Sequence, residues 1–228
     1  MRAKLWLALG VVGMMTLGVT AGTFALFSAS AGPNNNQFTA GTLTLSAVRD
    51  QGDTIPGPMF YTTPDEGDTP TGVDGLYPTG PWAPGDSRVR VLLVRNTGSL
   101  DAWLTSVGAD LASGSMYLAD KLRYCIATSP IIPLDPGEPT KNIQQPMCPA
   151  ANGPAPGYVA VGSLGDLINT DHAFDSGNIA LNATPGPVDP PKPFYFYVSL
   201  PLDADNSYQS ETLKVNFYIN AVQKKNNP

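Results

Sequence analysis

The sequence predicts an all-β fold, an antiparallel, jelly-roll-like β-sandwich with long Pro/Gly-rich loops and one or two short helices. Three observations carry that expectation. The 228 residues include 23 glycines and 23 prolines, which weaken helices through backbone entropy and a missing donor. Two segments near the C-terminus alternate strictly. Phe194, Phe196, Val198 and Leu200 share one face against Tyr195, Tyr197 and Ser199; Leu213, Val215, Phe217, Ile219 and Ala221 share one against Lys214, Asn216, Tyr218 and Asn220. Finally, the apolar stretches are short, separated by Gly/Pro connections, and show no strand–helix–strand rhythm, which argues against a parallel α/β sheet.

The N-terminus reads as a targeting segment. Arg2 and Lys4 open the chain, residues 5–21 are apolar apart from Thr16 and Thr20, and Gly22-Thr23-Phe24-Ala25 follow. A basic start, a hydrophobic centre and a small-residue boundary describe a secretory signal peptide over residues 1–25, cleaved between Ala25 and Leu26. A membrane anchor is the competing reading, since residues 5–27 are long enough to cross a bilayer. Gly10, Gly13, Gly18 and Gly22 interrupt that stretch, and no basic cluster follows it. Removing residues 1–25 takes away Arg2 and Lys4 and moves the formal net charge from −6 to −8. An acidic chain with no basic stripe is not built for nucleic acid.

The remaining elements follow in order. Residues 26–37 (LFSASAGPNNNQ) read as a flexible arm, because Pro33 and Asn34–Asn36 break any regular element. The domain proper is expected over residues 38–228. Residues 38–48 alternate as a strand, and residues 50–85 form a Pro/Gly-rich insert of a length that is usually functional or mobile. Residues 88–95 (RVRVLLVR) predict a strand with Val89, Val91 and Leu93 inward and Arg88 and Arg90 outward, ended by the turn Asn96-Thr97-Gly98-Ser99. A strand over residues 101–109 and a short helix over 116–122 lead into residues 123–127. Residues 130–156 are loop, Val159 and Val161 mark a short strand, residues 164–168 a helical turn, and residues 171–193 are loop-like around Ile179 and Leu181. Residues 201–210, rich in Asp, Asn and Ser, read as a hairpin-type connection between the last two strands.

Few residues could carry chemistry. Cys125 and Cys148 are the only cysteines, and in an exported chain they read as one disulfide, with two buried thiols as the alternative. His172 is the only histidine, so a two-His zinc site is impossible, and neither G-x-S-x-G nor H-E-x-x-H occurs. Asp65, Glu66 and Asp68, and Asp203 and Asp205 with Asn206, are acidic turns that could hold Ca²⁺ weakly. Asn182-Ala183-Thr184 fits a glycosylation sequon. No catalytic residue, metal or cofactor is expected. A polysaccharide-binding surface on Tyr195, Tyr197 and Trp82 is the alternative use of the aromatics.

Three segments together carry a family resemblance: Gly22-Thr23-Phe24-Ala25-Leu26-Phe27 followed by residues 38–45 (FTAGTLTL); Pro84-Gly85-Asp86 leading into residues 88–94 and closed by residues 96–100 (NTGSL); and residues 198–201 (VSLP) with Asn206, Tyr208-Gln209 and residues 217–223. Their order resembles the TasA/camelysin family of exported bacterial biofilm-matrix proteins, whose signal peptides are removed by a SipW-type signal peptidase. The resemblance implies a secreted, extracellular jelly-roll subunit that forms head-to-tail homopolymeric fibres. The freed arm of one copy, with Leu26, Phe27, Ala29 and Ala31, would complete the sheet of the next. It also implies matrix polysaccharide or accessory matrix proteins as further partners. A camelysin-like exported protease is the enzymatic alternative, for which this chain supplies no credible zinc site. The chain departs from the family pattern in its insert, residues 50–85, and in its cysteine pair.

Overall fold

The computed structural model describes residues 27–30, 37–40, 43, 45–49, 59–60, 62, 79–133, 144–183 and 190–224. The chain divides into two compact units, Met1–Thr42 and Leu43–Pro228. In the first, β1 (Phe27–Ser30) pairs antiparallel with β2 (Gln37–Ala40), Phe27 opposite Ala40 and Ala29 opposite Phe38. The strand expected over residues 38–48 is therefore two strands, β2 and β3 (Leu45–Arg49), which belong to different units. Alternation reports which face a residue takes, not which strand lies beside it, so one continuous pattern serves both.

The second unit is an antiparallel sandwich of two sheets. Its strands are β3, β4 (Ser87–Asn96), β5 (Ala102–Gly114), β6 (Arg123–Ala127), β7 (Ala160–Ser163), β8 (His172–Ala173), β9 (Ile179–Leu181), β10 (Lys192–Ser199) and β11 (Leu213–Gln223). One sheet runs β3-β4-β10-β6-β7; the other runs β11-β5-β8, with β9 also pairing β5. Short helices α1 (Met116–Lys121) and α2 (Leu164–Asn169) fall where the sequence places them. Each starts at a serine whose hydroxyl accepts a first-turn N–H, Ser115 from Leu118 and Ser163 from Asp166, which satisfies a donor the helix itself cannot.

The inner faces of the two sheets share one core. Leu104, Val107 and Ala109 of β5 meet Tyr124 and Ile126 of β6 and Phe194, Phe196 and Val198 of β10, with Phe217 and Ile219 of β11 packed against them. Phe196 and Phe217 touch across the sandwich with ring centroids 5.5 Å apart, and Phe174 stacks on Phe194 at 5.9 Å. Burying each such ring contributes about 1.5–3 kcal/mol.

Two expectations are corrected. The last two strands are not a hairpin: β10 pairs β4 and β6 in one sheet, and β11 pairs β5 in the other. Residues 201–210 cross between the sheets through a 3₁₀ turn, Asn206–Tyr208. The phase of β4 is also inverted. Arg90 lies opposite Phe196 on the core side and is 0% exposed, whereas Val89 lies opposite Tyr197 on the outer side. The Arg90 guanidinium donates to the Val89 carbonyl at 2.9 Å and sits 5.8 Å over the Phe60 ring. The reason is that this sheet is covered on both faces. Residues 144–158 form a strap across its outer side and enclose a second apolar cluster of Val89, Cys125, Ala127, Cys148, Val161 and Tyr197. The insert is not wholly detached either, since Met59, Phe60 and Trp82 pack on the main core.

Candidate functional site

The residues on which assembly would depend lie at the N-terminus. Phe27 and Ala29 fall in β1, so the segment expected as a flexible arm contains a strand paired with the chain's own Gln37–Ala40. Ala25, Leu26 and Ala31, and with them the cleavage point and residues 1–25, lie outside the described residues. Among the described residues β1 has no partner other than β2, and no helix is long and apolar enough to cross a membrane.

The strap is built around the Cys125–Cys148 disulfide, which spans 23 residues of sequence. Cys125 is central in β6, and Cys148 hangs from β10 through its N–H to the Ser199 hydroxyl at 3.2 Å. Gln145 N donates to the Ser87 carbonyl at 3.1 Å, and the Ser87 hydroxyl donates to the Pro146 carbonyl at 2.9 Å. Arg123 grips the far end, donating from Nε and Nη2 to the Pro149 carbonyl and from Nη2 to the Ala151 carbonyl. A proline-rich segment has few donors of its own, and here its carbonyls are met by side chains from the sheet.

That strap covers part of the aromatic surface. Tyr195 and Tyr197 take the outer face, as the alternation predicts, but Tyr197 is 0% exposed. Its hydroxyl accepts from Ile131 N at 3.1 Å, and its ring meets Tyr158 edge-on. Burial pushes its hydroxyl above the usual tyrosine range. Trp82 packs on the core. Tyr197 lies under the strap and is closed to a stacking sugar ring, whereas Tyr195 and Trp82 are half-buried.

His172 of β8 lies in a cleft of about 460 Å³ lined in part by Tyr124, Asn152, Asp166, Leu167 and Asp171. His172 Nδ1 and the Tyr124 hydroxyl share a hydrogen bond at 2.7 Å, and Nε2 is 3.3 Å from Asp175 Oδ1. Burial, with the nearby Asp175 and Asp166 charges, pushes the Tyr124 hydroxyl well above its ordinary range, so it stays protonated. A buried, protonated phenol is a poor nucleophile. The pair instead ties β8 of one sheet to β6 of the other. Beside it, Asp171 accepts from the Tyr218 hydroxyl and from Asn220 Nδ2, both at 2.6 Å. Tyr218 reaches Asp171 across Gly108: a Cβ at that glycine would lie 2.4 Å from the Tyr218 ring and 2.5 Å from Asp171 Oδ1. The bond to Asp171 raises Tyr218 to about 12. Nothing in the sequence pattern brings Tyr124 to Asp166, Asp171 and His172, because β6 lies about forty residues before α2 and the Asp171-His172 pair, and only the tertiary fold unites them.

The acidic turn at Asp203 and Asp205 is occupied by its own chain. Asp205 accepts from Ser207 N at 2.9 Å, from the Ser207 hydroxyl and from the Tyr117 hydroxyl at 3.2 Å, and faces Lys121 Nζ at 3.5 Å. Bonds from Ser207 hold its carboxyl down at about 2. Among the described residues no group of three or more His, Cys, Asp or Glu side chains could hold a metal ion. Asp65, Glu66 and Asp68 lie outside them, as does Thr184 of the sequon; Asn182 is exposed. Compared with known proteins, the chain matches no family model and no curated sequence.

Proposed function

We propose that this chain is a secreted, non-enzymatic structural subunit that polymerises head to tail into extracellular matrix fibres. Residues 26–37 leave their own ribbon and add to the sheet of a neighbouring copy after a SipW-type signal peptidase has freed them. The observation that supports this reading is the isolation of β1, whose only partner among the described residues is the four-residue β2. A two-stranded ribbon of that length is marginal in water. Exchanging β2 for a strand in a full sheet keeps the main-chain hydrogen bonds and adds side-chain burial. Addition in one direction without closure yields a filament. Residues 26–37 also carry no charged side chain, and the new α-ammonium group at Leu26 is positive, so the arm meets no repulsion from an acidic neighbour. In this reading the sandwich is jelly-roll-like, an open architecture that, unlike a closed barrel, keeps edge strands.

The test is electron microscopy of the processed protein. Fibres are expected, with a mature N-terminus at Leu26, and deletion of residues 26–37 abolishes them while circular dichroism retains the sheet signal. Fibres that survive the deletion, or a secreted chain that keeps Met1, refute the reading.

A further inference from the structure

The sandwich has one long open edge. β11 pairs β5 on one side, and among the described residues nothing pairs its other side over eleven residues. Natural sheets blunt such edges with charges, prolines, short strands or bulges on the edge strand. Here the register shifts at Lys214/Val215 and Asn220/Ala221 pass over Ala112 and Thr105 on the partner strand β5, so β11 itself alternates without interruption. Lysines stand only near its two ends, at 214 and 224, and the nine residues Val215 to Gln223 carry neither charge nor proline.

A second copy of the same edge is a fitting occupant. Laid antiparallel on a second copy of itself and centred on Tyr218, β11 overlaps along its whole length. Val215 then meets Ala221 and Phe217 meets Ile219 on the core side. On the outer side Asn216 meets Asn220, and Tyr218 meets Tyr218. Every apolar residue between 215 and 221 faces an apolar one and every polar residue a polar one, the pairing that stabilises antiparallel sheets. Moving the centre by one residue to Ile219 would set Lys214 directly opposite Lys224, which like charges disfavour.

We propose that β11 is a self-recognition edge, through which two copies join in a two-fold, isologous contact that makes their four-stranded sheets continuous. This goes beyond the head-to-tail reading, because it uses neither the arm nor its cleavage. In a fibre it would be the contact that joins neighbouring filaments.

The test is cross-linking of the full chain carrying Tyr218→Cys, Asn216→Cys or, as a control on an exposed loop, Ser129→Cys. The native cysteines do not interfere, being already bonded to each other. After oxidation, Tyr218→Cys is expected to give covalent dimers at about tenfold the yield of the other two, equivalent to roughly 1.4 kcal/mol of preferential alignment. Asn216→Cys cross-links only when mixed with an Asn220→Cys chain. Equal yields at all three positions, or no dimer, overturn the proposal. So does Tyr218→Cys that couples to Ala29→Cys in preference to itself, which would make the arm the occupant. A second measurement leaves the cysteines unaltered: Asn216→Lys, at an exposed position, should weaken dimers in sedimentation about tenfold. Unchanged sedimentation overturns the proposal. Loss of fibres with these dimers intact counts against the assembly reading alone.

Discussion

Removing the disulfide should destabilise the sandwich and lift the strap before anything else moves. The clean perturbation is Cys125→Ala with Cys148→Ala, which leaves no buried thiol behind. With the cysteines 23 positions apart in sequence, the chain-entropy model assigns the cross-link about 3 kcal/mol. For a domain of this size that corresponds to a fall in Tm of roughly 6–12 °C. The strap retains Gln145 N to Ser87 and the Arg123 grip on Pro149 and Ala151, so the double variant still folds at room temperature. Thermal unfolding by circular dichroism gives the global effect and native-state hydrogen exchange the local one. Exchange should quicken at the backbone N–H of position 148, whose bond to Ser199 the disulfide anchors in the parent, and at Ile131 N, bonded to Tyr197 beneath the strap. The strands of the other sheet, β5 and β11, should keep their protection relative to global stability. A Tm within about 1 °C of the parent, a shift too small for a cross-link of about 3 kcal/mol, refutes the argument. Uniform loss of protection across both sheets would show that the strap is not a separate layer.

Other outcomes follow from particular contacts. Gly108→Ala forces Tyr218 away from Asp171 and should cost about 1–3 kcal/mol in denaturant unfolding, whereas Gly153→Ala, strained only by its own positive φ, meets no neighbouring atom. Phe196→Ala opens a cavity between the sheets and should cost about 3–5 kcal/mol, near the limit of a marginal fold. Tyr218, raised to about 12, favours folding fully below the ordinary tyrosine pKa of about 10 and loses that contribution as pH climbs towards 12. Phenolate absorbance should show several late-titrating tyrosines, Tyr124, Tyr197 and Tyr218 among them, of which one moves down in Asp171→Asn. Asp205, held at about 2, acts in the opposite sense: its contribution is present above the ordinary Asp pKa of about 4 and fades as pH falls towards 2, which Ser207→Ala should move upward in a carboxylate NMR titration.

What the sequence determined by itself was set by local chemistry. Strict alternation made strands of residues 194–199 and 213–221, local periodicity marked α1 and α2, and the chain's two cysteines made a disulfide. Each depends on the residue and its near neighbours, so each can be read without a partner in view. What the tertiary structure alone decided was the company each strand keeps. Alternation in β4 could not say that both its faces are covered, so the buried Arg90 and the strap-side Val89 exchanged places relative to the simple reading. Nor could the polar connection before β11 say that it crosses to the other sheet, or the tyrosines of β10 that a proline-rich segment lies over them. A strand's period of two distinguishes its two faces but carries no label for which neighbour covers either. Pairing and layering are therefore settled by contacts between residues far apart in the chain, where the His172 cleft and the open edge of β11 also arise.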